Sequence, residues 1–427
     1  MTPLERLFAL EQFGIKLGLD NIRVILAALG NPERAYRSIH IGGTNGKGSV
    51  AAMVERGLRA AGLRTGRYTS PHLDRVEERV AIDGQPVDRQ AFEVVTAHVL
   101  DLVDALRADG TLKVPPTFFE VSTAVAFEIF KRASVDVAVV EVGLGGRFDA
   151  TNVLTPTIAA ITTIAFDHER HLGHTLSEIA FEKAGIAKPG VSLVIGRLPR
   201  EAAARIAEVA TAIGAPIFDA HATAPDRDYP PMTLALAGRH QLENAKVATA
   251  ILERWSALVN YVSTDAIVTG LTDCEWPARL EWLRVPSGFA RDASSGETGR
   301  GGELLIDAAH NPAGAAALAS YLLDRGEKLP IIFAAMVDKD VEKMIAVLAP
   351  VASAFVATNA PNERARASDQ LAEDIRRLVT VPVEAVASPE AAVTRALELS
   401  RRAVAAGSIY MVGPLRAKLI AGGATRL

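Results

Sequence analysis

Residues 43–49, Gly43-Thr44-Asn45-Gly46-Lys47-Gly48-Ser49, combine the residue types that a polyphosphate needs. Glycines allow backbone dihedrals that a β-carbon forbids, so successive N–H groups can turn into one hollow, where a following helix adds partial positive charge. Lys47 would reach the β- and γ-phosphates, and a hydroxyl from Thr44 or Ser49 would bind a phosphate or its metal. The general phosphate-loop pattern is matched imperfectly: Gly48 follows Lys47, and the hydroxyl comes one position late. A plain glycine-rich turn is the competing reading.

Other polar residues stand where predicted strands end. Ser70 and His72 follow a short strand, Glu141 closes VDVAVVEV, and Asp167-His168 follows the strand at 157–164. In open parallel sheets, ligands gather beyond the carboxyl ends of the strands. Taken singly, Glu141 also reads as a carboxylate held by loop amides, and His168 as a structural hydrogen bonder. Together with a phosphate loop they supply hydroxyl, carboxylate and imidazole to a Mg²⁺ that keeps phosphates and waters. Glu182 and Lys183 lie on a helix near this set, where a solvated charged face is equally open. Arg279 reads either as a ligand contact or as a surface arginine. Asp307 and His310-Asn311-Pro312 close a strand further on, while Cys274 and Trp276 read as packing residues.

The elements that must position these groups alternate along the chain. Apolar Ile39 and Ile41 run into the glycine loop, and the segment after Val50 has helical spacing. Helices are expected over 87–108, 117–132, 199–213, 241–255 and 265–271, with strands at 64–68, 135–142, 157–164 and 192–195. Strands apolar on both faces belong in a parallel sheet covered by helices. The pattern breaks near residue 275. A second run then begins: LLIDAAH, a helix at 314–323, PIIFAAM, a helix at 341–348, AFVAT, a helix near 369–378, VEAV, a helix over 389–405, and SIYMVG as a strand. Two α/β domains are expected, 1–275 and 276–427. Residues 287–302 read as an exposed Gly- and Ser-rich loop.

Composition narrows the function. The chain has 427 residues, 49% of them hydrophobic, with 22% charged and a formal net charge of −4. Bulk electrostatics favour neither nucleic acid nor a membrane surface. A single cysteine excludes an intramolecular disulfide and a cysteine-rich zinc site, and fits a reducing compartment. The opening stretch lacks a basic region before an apolar run, and no apolar stretch approaches the roughly 18 residues of a membrane span. A cytoplasmic protein is expected.

These motifs together resemble the folylpolyglutamate synthase and dihydrofolate synthase family, within the Mur ligase superfamily. GIKLGLDNIRVILAALGNP, GGTNGKGS, TSPHL, EERV, PTFFE, EVGLGGRFDATN, DHERHLG, EKAGIAK, GRHQLENA, WPARLE, DAAHNP, MVDKD and GSIYMVG occur in the family's order. The Gly48 that spoils the general pattern is similar to this family's own GTNGKG followed by Ser or Thr. Glu169 departs from it, standing where a small hydroxyl residue often follows the Asp-His pair, and the loop at 287–302 is longer than expected.

The resemblance implies an N-terminal phosphate-loop domain of the Mur ligase central type with a parallel-rich sheet, and a smaller Rossmann-like α/β C-terminal domain. It implies an ATP-dependent ligase joining L-glutamate to dihydropteroate, to folates, or to both, with ATP and Mg²⁺, acting as a monomer. Gly43, Thr44, Asn45, Gly46, Lys47, Gly48 and Ser49 would hold the phosphates. Ser70, Glu141 and His168 match metal positions, and Asn244, Arg279 and Asp307 match ATP contacts. Lys183 matches a lysine carboxylated by CO₂. Thr117, Phe118, Phe148, Asp149 and Ala150 fall where the pterin substrate is expected. Closure of the second domain would keep an acyl phosphate from water. Two alternatives stand beside this: another Mur-type amino-acid ligase with a different acceptor, although a cell-wall ligase normally carries a further N-terminal domain before its phosphate loop, and a nucleotide-binding switch without ligase turnover.

Overall fold

Parallel strands dominate both sheets of the computed structural model, which describes residues 1–14, 18–222, 229–289 and 301–427. Ile15, Lys16 and Leu17 of the first quoted motif, and residues 290–300 of the expected loop, lie outside the described residues. The chain divides into two compact units: residues 1–235 with 242–275, and residues 236–241 with 276–427.

In the first unit the strands are β1 (Arg37–Gly42), β2 (Thr65–Tyr68), β3 (Val80–Ile82), β4 (Gln85–Pro86), β5 (Val137–Glu141), β6 (Ile158–Ile161), β7 (Ser192–Ile195) and β8 (Ile217–Asp219). They form one sheet in the order β4-β3-β2-β5-β1-β6-β7-β8. All neighbours from β2 to β8 run parallel, and β3 and β4 add an antiparallel hairpin at one edge. The helices are α1 (Pro3–Phe8), α2 (Asp20–Ala28), α3 (Lys47–Ala60), α4 (Arg89–Ala108), α5 (Phe118–Arg132), α6 (Glu169–Leu172), α7 (Leu176–Ala184), α8 (Arg200–Ile213), α9 (Arg239–Leu258), whose residues 239–241 fall in the other unit, and α10 (Thr264–Thr272).

Val137 to Glu141 are buried throughout, as a central strand covered on both faces requires. One core joins Leu26, Phe92, Val99, Phe127 and Phe130; a second joins Ile161, Ile179, Ile186, Leu193 and Ile206. β1 lies between β5 and β6, so chain leaving β1 emerges at the middle of the sheet. The register sets Glu141 beside Ile41 and Ile161 beside Gly42, which brings the ends of these three strands to one edge.

The second unit holds β9 (Glu281–Val285), β10 (Gly302–Ile306), β11 (Leu329–Phe333), β12 (Ala352–Ala357), β13 (Val383–Ala385), β14 (Arg402–Ala406) and β15 (Thr425–Arg426), in the order β13-β12-β11-β14-β10-β9-β15. Antiparallel β9 and β15 extend a parallel centre. Helices α11 (Pro312–Asp324), α12 (Val341–Leu348), α13 (Ser368–Arg376), α14 (Pro389–Leu399) and α15 (Ile409–Ala421) connect them.

The end of this unit corrects two expectations. The helix expected over 389–405 stops at Leu399, where Ser400 turns extended with φ −156°, and residues 402–406 form a strand. SIYMVG begins a helix instead of forming a strand. Alanine favours helix in isolation, but Ala403, Val404, Ala405 and Ala406 fill the fully buried slot between β10 and β11. Short apolar runs are ambiguous by periodicity, and tertiary burial decides them.

Candidate active site

The loop after β1 is fixed by close packing against the chain after β6. Gly43 has φ +137° and Gly46 φ +84°; a β-carbon at Gly43 would lie 2.1 Å from Thr162 Oγ1, and at Gly46 2.3 Å from Asn244 Oδ1. Only glycine fits either position. Between them, Thr44 N–H donates to the Thr163 carbonyl at 2.8 Å, Asn45 N–H to Thr163 Oγ1 at 3.0 Å, and Thr162 Oγ1 to the Asn45 carbonyl at 2.6 Å. Thr44 Oγ1 bridges the backbone of Ala165 in both directions. α3 starts at Lys47, so its unpaired amides and the positive end of its dipole face this loop. Gly48 and Ser49 are buried in its first turn, and Asn244 of α9 packs against the loop at Gly46.

Lys47 Nζ donates to the carbonyls of Gly43 and Thr44, both at 3.2 Å, and lies 3.9 Å from Glu141 Oε1. The other carboxylate oxygen of Glu141 accepts the Ser70 N–H at 3.2 Å. Loop amide, carboxylate and ammonium are therefore brought together, as the strand ends suggested. His168 is different: it has φ +51° at the start of α6, its side chain is 37% exposed, and its Nε2 is 3.9 Å from Asp167 Oδ1. Among the described residues, no three His, Cys, Asp or Glu side chains converge as a metal cage. A buried Glu141 with the hydroxyl-bearing Ser70 beside it nevertheless suits a hard cation that takes one carboxylate and completes its shell with phosphate and water.

Lys183 is not on a solvated face. Only 5% of it is exposed, and its Nζ donates to the Gly43 carbonyl at 2.9 Å. Burial, and next the Lys47 charge, lower its pKa to about 7, against the opposing pull of Asp167 and Asp149. Glu182 takes the outer position, paired with Arg147 at 2.7 Å.

The residues expected at the pterin carry structural duties as well. Thr117 caps α5, and its N–H and hydroxyl both donate to Glu120. The Phe118 ring stacks with Phe8 at 5.6 Å, and the Arg79 guanidinium lies 4.9 Å from its centroid. Phe148 lies under Arg147 at 4.3 Å. Asp149 accepts N–H groups from Leu144 at 2.8 Å and Thr151 at 3.0 Å, clamping the glycine-rich loop after Glu141; burial raises its pKa. Ala150 is buried at the start of the short helical turn that Asp149 caps. Behind it, the Thr151 hydroxyl meets Asp149 and also His40 Nε2 at 2.8 Å. Sequence pattern assigned Arg79 no role beyond its motif. His72 Nδ1 accepts from Arg79 Nε at 3.0 Å, and burial, then that neighbouring charge, lower the His72 pKa to about 4.

Within the second unit, Asp307 follows β10 and accepts the N–H of Leu280 at 2.9 Å and of Ala309 at 2.8 Å. Burial raises its pKa, opposed chiefly by Arg279 and also by His240. Arg279 sits between two non-glycine residues in left-handed conformation, Ala278 at φ +57° and Leu280 at φ +47°. Such strain persists only where surroundings over-determine it. Here Asp307 holds the Leu280 amide, and Glu281 holds the Ala278 amide at 2.9 Å.

The family described as Mur ligase, glutamate ligase domain, matches residues 295–408. The chain is 33% identical over 367 residues to the Bacillus subtilis dihydrofolate synthase/folylpolyglutamate synthase, covering 81% of each. It superposes on Mycobacterium tuberculosis folylpolyglutamate synthase complexed with ADP and AMPPCP with a TM-score of 0.86 and 32% identity, over 97% of both chains. A Yersinia pestis folylpolyglutamate synthase/dihydrofolate synthase complexed with AMPPNP and Mn gives a TM-score of 0.80 at 29% identity, over 98% of both chains. The chain spans about half the length of relatives from Haloferax volcanii and Halobacterium salinarum named probable bifunctional folylpolyglutamate synthase/dihydropteroate synthase, 49% and 51% of each.

Proposed function

We infer the function from one premise: the chain belongs to the folylpolyglutamate synthase and dihydrofolate synthase family. The reading is an ATP-dependent ligase that adds L-glutamate to dihydropteroate, to folates, or to both, through an acyl phosphate. One observation carries it: Lys47, Glu141 and Lys183 meet at a glycine loop on the N-terminus of α3.

A carboxylate does not condense with an amine at neutral pH. The acceptor carboxylate first attacks the γ-phosphate of ATP, giving an acyl phosphate and ADP; the amine of glutamate then displaces phosphate. Phosphoryl transfer asks mainly for alignment and charge neutralisation. The amides of residues 43–49 and the start of α3 hold the phosphates, and Lys47 follows the transferred group. Ser70, Glu141 and His168 are the residues that would hold Mg²⁺, which when bound would offset the negative charge of the phosphate oxygens. Lys183, carboxylated by CO₂, would present an anion beside the loop. Asn244, Arg279 and Asp307 would contact ATP, and Thr117, Phe118, Phe148, Asp149 and Ala150 the pterin.

A monomer working in the cytoplasm completes the reading; the single buried cysteine fits a reducing compartment. No helix among the described residues is long and apolar enough to cross a membrane. The deciding measurement is phosphate release from ATP with each substrate omitted in turn. Release that requires both a pteridine acid and glutamate is expected; release with neither, or with a different acceptor only, overturns the reading.

A further inference from the structure

Arg79 is a buried cation with no carboxylate ion-paired to it among the described residues. Only 9% of it is exposed, its Nε is spent on the His72 ring, and its guanidinium lies over Phe118. Among the described residues no Asp or Glu forms an ion pair with it. The acids nearest in sequence are engaged elsewhere: Glu78 accepts the N–H groups of Leu73, Asp74 and Arg75, and Glu77 faces Arg75 at 3.7 Å. Buried charges are costly unless paired, so a buried guanidinium without an acid suits an anion brought from outside.

Its position says which anion. The Arg79 carbonyl accepts the Thr69 N–H at 3.0 Å; the next residue, Ser70, donates its N–H to Glu141, which lies 3.9 Å from Lys47. Arg79 thus belongs to the same sheet edge as the phosphate loop, beside the Phe118 position. An acceptor that already ends in glutamate brings two carboxylates. One is converted to the acyl phosphate, and the other stays anionic. Dihydropteroate brings one carboxylate, and the reaction consumes it.

We propose that Arg79 is a specificity-determining residue that receives the spectator carboxylate of a glutamate-terminated acceptor. The free edge of a guanidinium can pair with a carboxylate through two parallel hydrogen bonds, a geometry that a lysine ammonium lacks. Phe118 and His72 fix the plane of that edge. The proposal rests on the ligase reading of the site, and assigns Arg79 to folate-type acceptors and not to dihydropteroate.

Dihydropteroate and dihydrofolate differ only by the glutamate, so they form the test pair. Binding of each in the presence of AMPPCP, and kcat and KM where turnover occurs, are measured for the parent, Arg79→Gln and Arg79→Lys, with melting followed on all three. Loss of a desolvated charge partner predicts that Arg79→Gln weakens dihydrofolate by at least about 30-fold, mostly in KM, and dihydropteroate by less than about three-fold. Arg79→Lys falls between, and its melting keeps the comparison valid if Arg79→Gln unfolds. Equal losses for both ligands, no loss for either, or a parent that binds dihydropteroate but not dihydrofolate overturns the proposal alone. A parent that releases no phosphate with any pteridine acid and glutamate overturns the proposed function, and this inference with it.

Discussion

Lys47 and Lys183 point their ammonium groups at one acceptor, the carbonyl oxygen of Gly43, at 3.2 and 2.9 Å. Burial, and after it the neighbouring Lys47 charge, loosen the proton of Lys183. The loop therefore carries two chemically distinct amines: Lys47 on the helix start, suited to a phosphate, and Lys183 behind the loop, suited to lose its proton.

Lys47→Ala should abolish turnover with the fold intact. Removing a desolvated charge partner costs about 2–5 kcal/mol, and each ~1.4 kcal/mol is tenfold in rate. A loss of at least roughly 30-fold is expected at unchanged melting temperature. Activity within a few-fold of the parent would remove the phosphate-loop assignment.

CO₂ reacts with a neutral amine, and the low pKa of Lys183 makes that form abundant near neutrality. Lys183→Ala is expected to be nearly inactive, with partial rescue by short carboxylic acids that occupy the position of the carbamate. ¹³C-labelled bicarbonate should give a carbamate resonance in the parent and none in the variant. Near-normal activity of the variant without any response to added acids would end the carbamate reading.

The same burial sets a pH dependence of stability. An unfolded lysine keeps its proton to about pH 10.4, whereas Lys183 releases it near about 7. Between these values the unfolded chain binds more protons, so this residue makes stability rise with pH through that window, and its penalty is complete below about pH 7. In CO₂-free buffer, Lys183→Met should be more stable than the parent, most at low pH, with the gain shrinking towards about pH 10. Urea melts of both proteins across that range decide it; a gain independent of pH contradicts the assignment.

Glu141→Gln should raise the magnesium requirement sharply, because a neutral amide is a far poorer ligand for a hard dication than a carboxylate. Its N–H partner at Ser70 can still be served by the amide oxygen, so the fold should tolerate the change. A magnesium titration of activity compares the two proteins. Identical half-saturation would make Glu141 a structural residue.

The linear order of residues was enough to place the glycine loop between β1 and α3. Glycines at 43 and 46, a lysine at 47, an apolar strand before and a helix pattern after are local signals, because backbone freedom and side-chain periodicity are properties of neighbouring residues. The ends of β2 and β5 were legible to within a residue for the same reason, which put Ser70 and Glu141 beside them, whereas the strand expected over 157–164 stops at Ile161. Tertiary structure alone decided the rest. EKAGIAK does not say that Lys183 is buried and Glu182 is not; that follows from α7 packing one face against the sheet. Nor does EERV say that Arg79 meets His72 and Phe118 without an ion pair to Asp or Glu among the described residues, since the Phe118 contact spans distant sequence and both depend on strand register. Residues 402–406 make the point for the fold. Their alanines suit a helix locally, and the vacant central place between β10 and β11 overrides them, because burial between two strands outweighs the small differences of intrinsic propensity.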